Sequence, residues 1–204
     1  TIIASHNRDD YAILPGVIYN LDSEIVLGSW EGNPLPSYTS LITGFNCKNI
    51  RIFGEGILDG NGASGPWWHN PKHKYGAYRP RCIFLNDCEN VVIQGVTVQN
   101  SPAWTIHPFY CRNLEFYDLK IINPKDAPNT DGCNPESCID VKMIGLHFSV
   151  GDDCIAIKSG KIYMAKHHLQ PSSDIEIRNC LMEDGHGGVV FGSEISGGAK
   201  NVKV

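Results

Sequence analysis

A short pattern returns six times along this chain: a small residue or cysteine, any residue, Asn or Asp, an apolar residue, any residue, an apolar residue. It reads Cys47-Lys48-Asn49-Ile50-Arg51-Ile52, Cys88-Glu89-Asn90-Val91-Val92-Ile93 and Cys111-Arg112-Asn113-Leu114-Glu115-Phe116. It continues as Cys138-Ile139-Asp140-Val141-Lys142-Met143, Ser172-Ser173-Asp174-Ile175-Glu176-Ile177 and Ala199-Lys200-Asn201-Val202-Lys203-Val204. The first residues lie 41, 23, 27, 34 and 27 positions apart, with insertions in the steps from 47 and from 138. Self-similarity at this interval marks a solenoid, in which each repeat buries its apolar face only against its neighbours.

Alternating β-branched residues make the repeat a strand and not a helix. A second short strand follows most copies, at Gly56-Ile57-Leu58, Val96-Thr97-Val98, Leu119-Lys120-Ile121, Leu146-His147-Phe148 and Leu181-Met182-Glu183. A third follows at Cys154-Ile155-Ala156-Ile157 and Val189-Val190-Phe191. Three strands per turn predict an all-β, right-handed parallel β-helix, one domain over residues 1–204. An antiparallel sandwich would show hairpin turns without a shared Asn or Asp before each strand. Both chain ends read as strand interiors, so the sequence looks like a fragment lacking terminal rungs.

The repeat also accounts for half of the cysteines. Cys47, Cys88, Cys111 and Cys138 share one position with Ser172 and Ala199, which predicts a small buried site and a stacked ladder of free thiols. Cys82, Cys133, Cys154 and Cys180 lie outside it, with a bridge among them left open. With no C-x-x-C pair, zinc is not expected. A net charge of −5 argues against a nucleic-acid partner, and no apolar run reaches membrane-spanning length. The sequence is silent on oligomeric state.

Three consecutive repeats carry polar chemistry between their second and third strands: Asn129-Thr130-Asp131-Gly132, Gly151-Asp152-Asp153-Cys154 and Asp184-Gly185-His186-Gly187-Gly188. Equivalent positions of stacked coils are about 4.8 Å apart, so Asp131, Asp152, Asp153 and His186 are expected on one corner. Each phrase alone is an ordinary Asp-containing turn. A Ca2+ site is another reading of the same acids. Together they suit glycoside hydrolysis, in which one carboxyl protonates the leaving oxygen and another activates water. Inverting enzymes place that pair roughly 6.5–9.5 Å apart. The neighbouring glycines are expected to keep the corner open to a polymer.

These phrases resemble glycoside hydrolase family 28, the polygalacturonases, which carry Asn-Thr-Asp, Gly-Asp-Asp, Gly-His-Gly and Arg-Ile-Lys motifs in that order. The similarity runs over roughly residues 41–204 and includes Asp59-Gly60-Asn61-Gly62, Asn100-Ser101-Pro102 and Trp67-Trp68. The resemblance implies inverting hydrolysis of α-1,4-galacturonosidic bonds in pectin, polygalacturonate or its oligomers, with no metal or cofactor. It makes Asp152 the general acid, gives Asp131 and Asp153 the water, and sets His186 beside the acid. Trp104-Thr105-Ile106-His107-Pro108 and residues 187–194 look closer to the bacterial exo-acting branch. No Arg-x-Lys follows His186. A galacturonate carboxylate would lose a cation worth roughly 2–5 kcal/mol if buried, so this chain by itself is expected to be weakly active or inactive.

Further substrate-binding candidates are Asn129, beside Asp131; Lys158, matched evenly against a solvated strand lysine; His107, one repeat earlier; and Glu194. Trp67, Trp68, His69, His73, Tyr75 and Tyr78 crowd the first insertion, to stack on sugar or pack on the helix edge. His167 and His168 in the second insertion are expected to do nothing. Competing functions are a Ca2+-dependent pectate lyase, a non-catalytic glycan-binding β-helix and a rhamnogalacturonan hydrolase. Pectin-cleaving members of the family are secreted or periplasmic, while unpaired cysteines leave the cytoplasm open.

Overall fold

The Asn or Asp of each repeat is where the backbone turns a corner. In the computed structural model, which describes residues 1–21 and 23–204, Asn49, Asn90, Asn113, Asp140, Asp174 and Asn201 all have φ between 52° and 60°. That left-handed conformation suits Asn and Asp, whose short side chains hydrogen-bond locally. The amides stack from coil to coil, Asn113 Nδ2 donating to Asn90 Oδ1 at 2.8 Å and Asn90 Nδ2 to Asn49 Oδ1 at 3.1 Å.

Beyond each corner runs the longest strand of the coil. Lys48–Phe53, Glu89–Gln94, Arg112–Tyr117, Ile139–Ile144, Ser172–Arg178 and Ala199–Lys203 form one parallel sheet in coil order. A second sheet stacks Ile2–Ile3, Ile57–Asp59, Thr97–Gln99, Lys120–Ile122, His147–Ser149 and Leu181–Asp184. The third holds Ile42–Phe45, Ile83–Asn86 and Ile106–Phe109, and bridges at Cys133 and Glu136 carry it on to Ile155–Ile157 and Val189–Phe191. This is the expected parallel β-helix, and the chain's parallel crossovers are of the type that is right-handed almost without exception.

Register places like on like inside the coil. Ile50, Val91, Leu114, Val141, Ile175 and Val202 form one column, and Ile52, Ile93, Phe116, Met143 and Ile177 the next. Each fully buried side chain contributes about 1.5–3 kcal/mol against exposure. The cysteine ladder is present in part: Cys88, Cys111 and Cys138 are buried one above another, Cys47 at the first repeat is exposed because no complete coil covers it, and all eight thiols are free. Burial raises the Cys82 thiol to about 12. These sulfurs pack as apolar atoms.

Two strand pairs between Ile13 and Tyr38 depart from the expected coil. Ile13–Leu14 pairs antiparallel with Ser37–Tyr38, and Val17–Asn20 pairs antiparallel with Ser23–Val26. The chain then crosses the outward face of the third sheet, where Asn86 Nδ2 holds the Val26 and Leu27 carbonyls at 2.8 and 3.1 Å. That face presents Phe84, His107 and Phe109, too apolar to stand open to water. A short helix, Ile162–His167, covers the rest of it by burying Met164 against Phe84 and Phe109. In the first insertion, Trp67 packs beneath Tyr11 and Tyr38 and is not available to sugar. His168 is not idle, since its Nε2 meets Glu24 Oε1 at 2.8 Å.

Candidate active site

The three polar phrases occupy the turns from the second sheet to the third, in successive coils. Main-chain bonds tie those turns together: Thr105 N donates to Asp131 O at 2.8 Å, Gly132 N to Asp153 O at 2.9 Å, and Cys154 N to Gly187 O at 2.8 Å. His186 N donates to Asp152 O at 2.8 Å. Coil stacking thus sets residues 131, 152–153 and 186 side by side. The glycine after Asp131 serves this stacking and not an open corner. A Cβ on Gly132 would lie 2.4 Å from the Cys154 carbonyl and 2.5 Å from the Phe148 ring.

Carboxylate oxygens of Asp131, Asp152 and Asp153 all lie within 4.8 Å of one another. This is tighter than the separation expected above. Two of the acids are consecutive in the chain, and the third sits one sheet spacing away. His186 Nδ1 stands 3.3 Å from Asp152 Oδ1, with most of its ring exposed. Burial lifts Asp131 to about 7; the Lys158 ammonium opposes that rise and the Asp152 charge adds to it. Asp153 is also raised, first by burial and then by Asp152. Below about pH 7 Asp131 therefore carries a proton, and Asp153 keeps one to higher pH than an ordinary aspartate.

The same cleft, about 290 Å³, is lined on its other sides by Asn129, Lys158, Glu194, Lys161, Trp30 and Trp104, among others. Lys158 is a buried residue and not a solvated strand lysine. Its Nζ donates to Glu194 Oε2 at 2.6 Å and to Gly192 O at 3.0 Å, and sits 4.5 Å from the centre of the Trp104 ring. Glu194, which burial alone would raise, is held below its ordinary value by the charge and hydrogen bond of Lys158. His107 lies apart from the cleft lining. It is fully buried, Nε2 meets Glu136 Oε2 at 2.8 Å, and burial pushes its pKa down to about 4, so the ring is neutral.

Three residues that the motifs did not mark support the site. Asn134 donates from Nδ2 to Asp131 Oδ2 at 2.7 Å. Arg79 braces the turn before Asp131, binding Pro128 O at 2.9 Å and Asn129 Oδ1 at 2.6 Å. Arg81 is buried between Trp30 and Trp104, and that burial lowers it to about 9. Asn134 follows Asp131 by three positions and was readable as an outward strand residue, whereas the roles of the arginines depend on which loops reach them.

A larger groove, about 470 Å³, lies over the outward face of the long sheet at Asp140, Lys142, Asp174 and Glu176. Its polar groups largely answer each other: Lys142 bonds Glu115 at 3.1 Å, Arg178 bonds Glu176 at 2.9 Å, and Asn201 bonds Asp174 at 2.9 Å. The convergent acids are in the smaller cleft. Among the described residues, Asp131, Asp152 and Asp153 are also the one group of side chains close enough together to hold a metal ion.

The family model for glycosyl hydrolases family 28 matches residues 24–204, nearly the whole chain. The chain belongs to glycosyl hydrolases family 28. A relative from Vitis vinifera, "Probable polygalacturonase", is 37% identical over 186 residues, covering 83% of this chain and 37% of its own length. A "Polygalacturonase" of Malus domestica is 30% identical over 173 residues, 78% of this chain and 36% of its own. Among solved structures, a hyperthermoactive exopolygalacturonase from Thermotoga maritima aligns with a TM-score of 0.81 at 30% identity, covering 98% of this chain and 51% of that one. The polygalacturonase of Erwinia carotovora aligns at 0.68 and 26% identity, over 81% and 44%. This chain thus spans between a third and about half of the length of these relatives.

Proposed function

We propose that the protein hydrolyses α-1,4-galacturonosidic bonds of pectin, polygalacturonate or its oligomers, acting outside the cytoplasm. The observation that carries this reading is the convergence of three carboxylates within 4.8 Å in a family 28 cleft. Asp152, whose carboxylate stands beside His186, carries the proton that passes to the leaving oxygen. Asp153 takes the proton of the attacking water. Asp131, protonated below about pH 7, positions that water as a hydrogen-bond donor. Lys158 and Lys161 bring positive charge to the same cleft for a uronate carboxylate. Inversion rests on the family resemblance, because the carboxylates are closer than the roughly 6.5–9.5 Å of most inverting enzymes.

The test is digestion of oligogalacturonate by the full-length protein, followed by NMR at the first turnover. New reducing ends of inverted anomeric configuration are expected, unchanged by chelator. A Ca2+-dependent unsaturated product absorbing in the ultraviolet would instead make it a lyase. Asp152→Asn is expected to retain oligomer binding and lose hydrolysis. If native protein binds oligomers and never cleaves them, it is a glycan-binding β-helix. Preference for rhamnose-containing pectin would move the substrate within the family.

A further inference from the structure

A guanidinium donates hydrogen bonds and never accepts them, so a bond from an arginine to an amide side chain fixes which end of that amide is which. Resting on the hydrolase reading, we propose that Arg79 is a positioning residue: it turns the Asn129 carbonyl oxygen away from the cleft and presents Asn129 Nδ2 there as a donor to an oxygen of the bound uronide.

Arg79 leads into the strand Ile83–Asn86, two coils before the turn that bears Asn129. Its side chain crosses the turn of the coil between. Nη1 donates to Pro102 O at 2.8 Å on that turn and to Pro128 O at 2.9 Å on the next, and Nη2 donates to Asn129 Oδ1 at 2.6 Å. Arg79 is buried, so water competes little for these bonds. One planar fork thus joins three consecutive coils, a geometry that a single ammonium does not reproduce.

Asn129 itself is fixed at the backbone by a left-handed φ of 57°, a conformation that Asn, Asp and Gly accept most readily. With Oδ1 committed to Arg79, Nδ2 has no hydrogen-bond partner among the described residues. Asn129 lines the cleft together with Asp131, Asp152 and Asp153. Ionised carboxylates only accept, and a uronide presents carboxylate, ring and glycosidic oxygens that also accept. A fixed amide donor supplies what those acids lack. An unheld amide could turn its oxygen to the cleft and repel the same atoms.

Two replacements keep the left-handed turn and separate anchoring from donation. Asn129→Asp still accepts from Arg79 and offers no donor, whereas Asn129→Gly does neither. Both are placed in Asp152→Asn protein, with trigalacturonate binding read by calorimetry and folding by melting temperature. Asn129→Asp is expected to melt no lower than its parent and to bind about 10–100-fold more weakly, with a similar loss of binding in Asn129→Gly. Arg79→Met is expected to weaken binding about tenfold in the Asn129 parent and only about twofold in Asn129→Gly, where no amide remains to be turned. Should Arg79→Met not fold, Arg79→Lys takes its place in the cycle, with the same contrast expected. Either Asn129 variant binding as tightly as the parent would overturn the donor. Equal losses from the Arg79 change in both backgrounds would overturn the positioning role and leave Arg79 a brace. The expected contrasts in a protein that never cleaves galacturonan leave Arg79 and Asn129 in these roles and remove the hydrolase reading alone.

Discussion

Lys158 Nζ and Glu194 Oε2 meet at 2.6 Å in the wall of the cleft, with each side chain only 5% exposed. The pair joins the third-sheet strand that follows Asp153 to the segment after Val189–Phe191. Two buried opposite charges stabilise little in net terms, but removing one strands the other in a site that desolvates it.

Lys158→Met is therefore expected to cost about 3–5 kcal/mol of stability, and Lys158→Met with Glu194→Leu to recover most of it. Both are read by thermal unfolding. Because Lys158 opposes the upward shift of Asp131 and Asp153, the single variant's residual pH–rate profile should move to higher pH. An unmoved profile would show that Lys158 is structural only.

Asp131 gives a second prediction, with a definite sign. Its folded pKa, about 7, lies above the ordinary 3.8, so across that window the folded state holds a proton that the unfolded chain has released. Stability contributed by this group is full below pH 3.8 and is lost as pH rises toward 7. Asp131→Asn can still accept from Asn134 and has no charge to bury. It should melt higher than native protein at pH 8, match it near pH 3.5, and lose roughly 10²–10⁴-fold in kcat.

His107 predicts the opposite slope. Its folded pKa, about 4, is below the ordinary 6.5, so the unfolded chain binds the proton first on acidification. Stability present above pH 6.5 is lost as pH falls toward 4. His107→Gln keeps a donor toward Glu136 and should flatten the melting temperature over that range while leaving kcat near neutral pH unchanged. A fall in kcat with unchanged melting would instead tie His107 to the chemistry.

How much of this was legible in the sequence depended on direction. Along the axis nearly everything was readable. The Asn or Asp at each corner, the strand columns from Ile50 to Val202 and the stacking of Asp131 on Asp153 all follow from one local repeat read in order. The cysteine ladder from Cys88 to Cys138 followed too, since Ser172 showed that its position is small and interior, while Cys47 at the first repeat is exposed. Laterally the reading failed. In Ile106-His107-Pro108-Phe109 the alternation points His107 outward, and outward on a bare solenoid means solvent and substrate. In the molecule a segment from residues 24–38 covers that face, and His107 is buried against Glu136. The solvated-strand alternative for Lys158 failed for the same reason, its partner Glu194 being 36 residues away.

The sequence by itself determined the coil, its registry and the corner on which the acids gather, because parallel stacking turns a repeat interval directly into neighbours one sheet spacing apart. Only the tertiary structure decided what borders that corner: Arg79 against Asn129 and Trp30 against Trp104. Those contacts join segments with no shared period, and which loop lies over which sheet depends on the shape and polarity of both surfaces once folded.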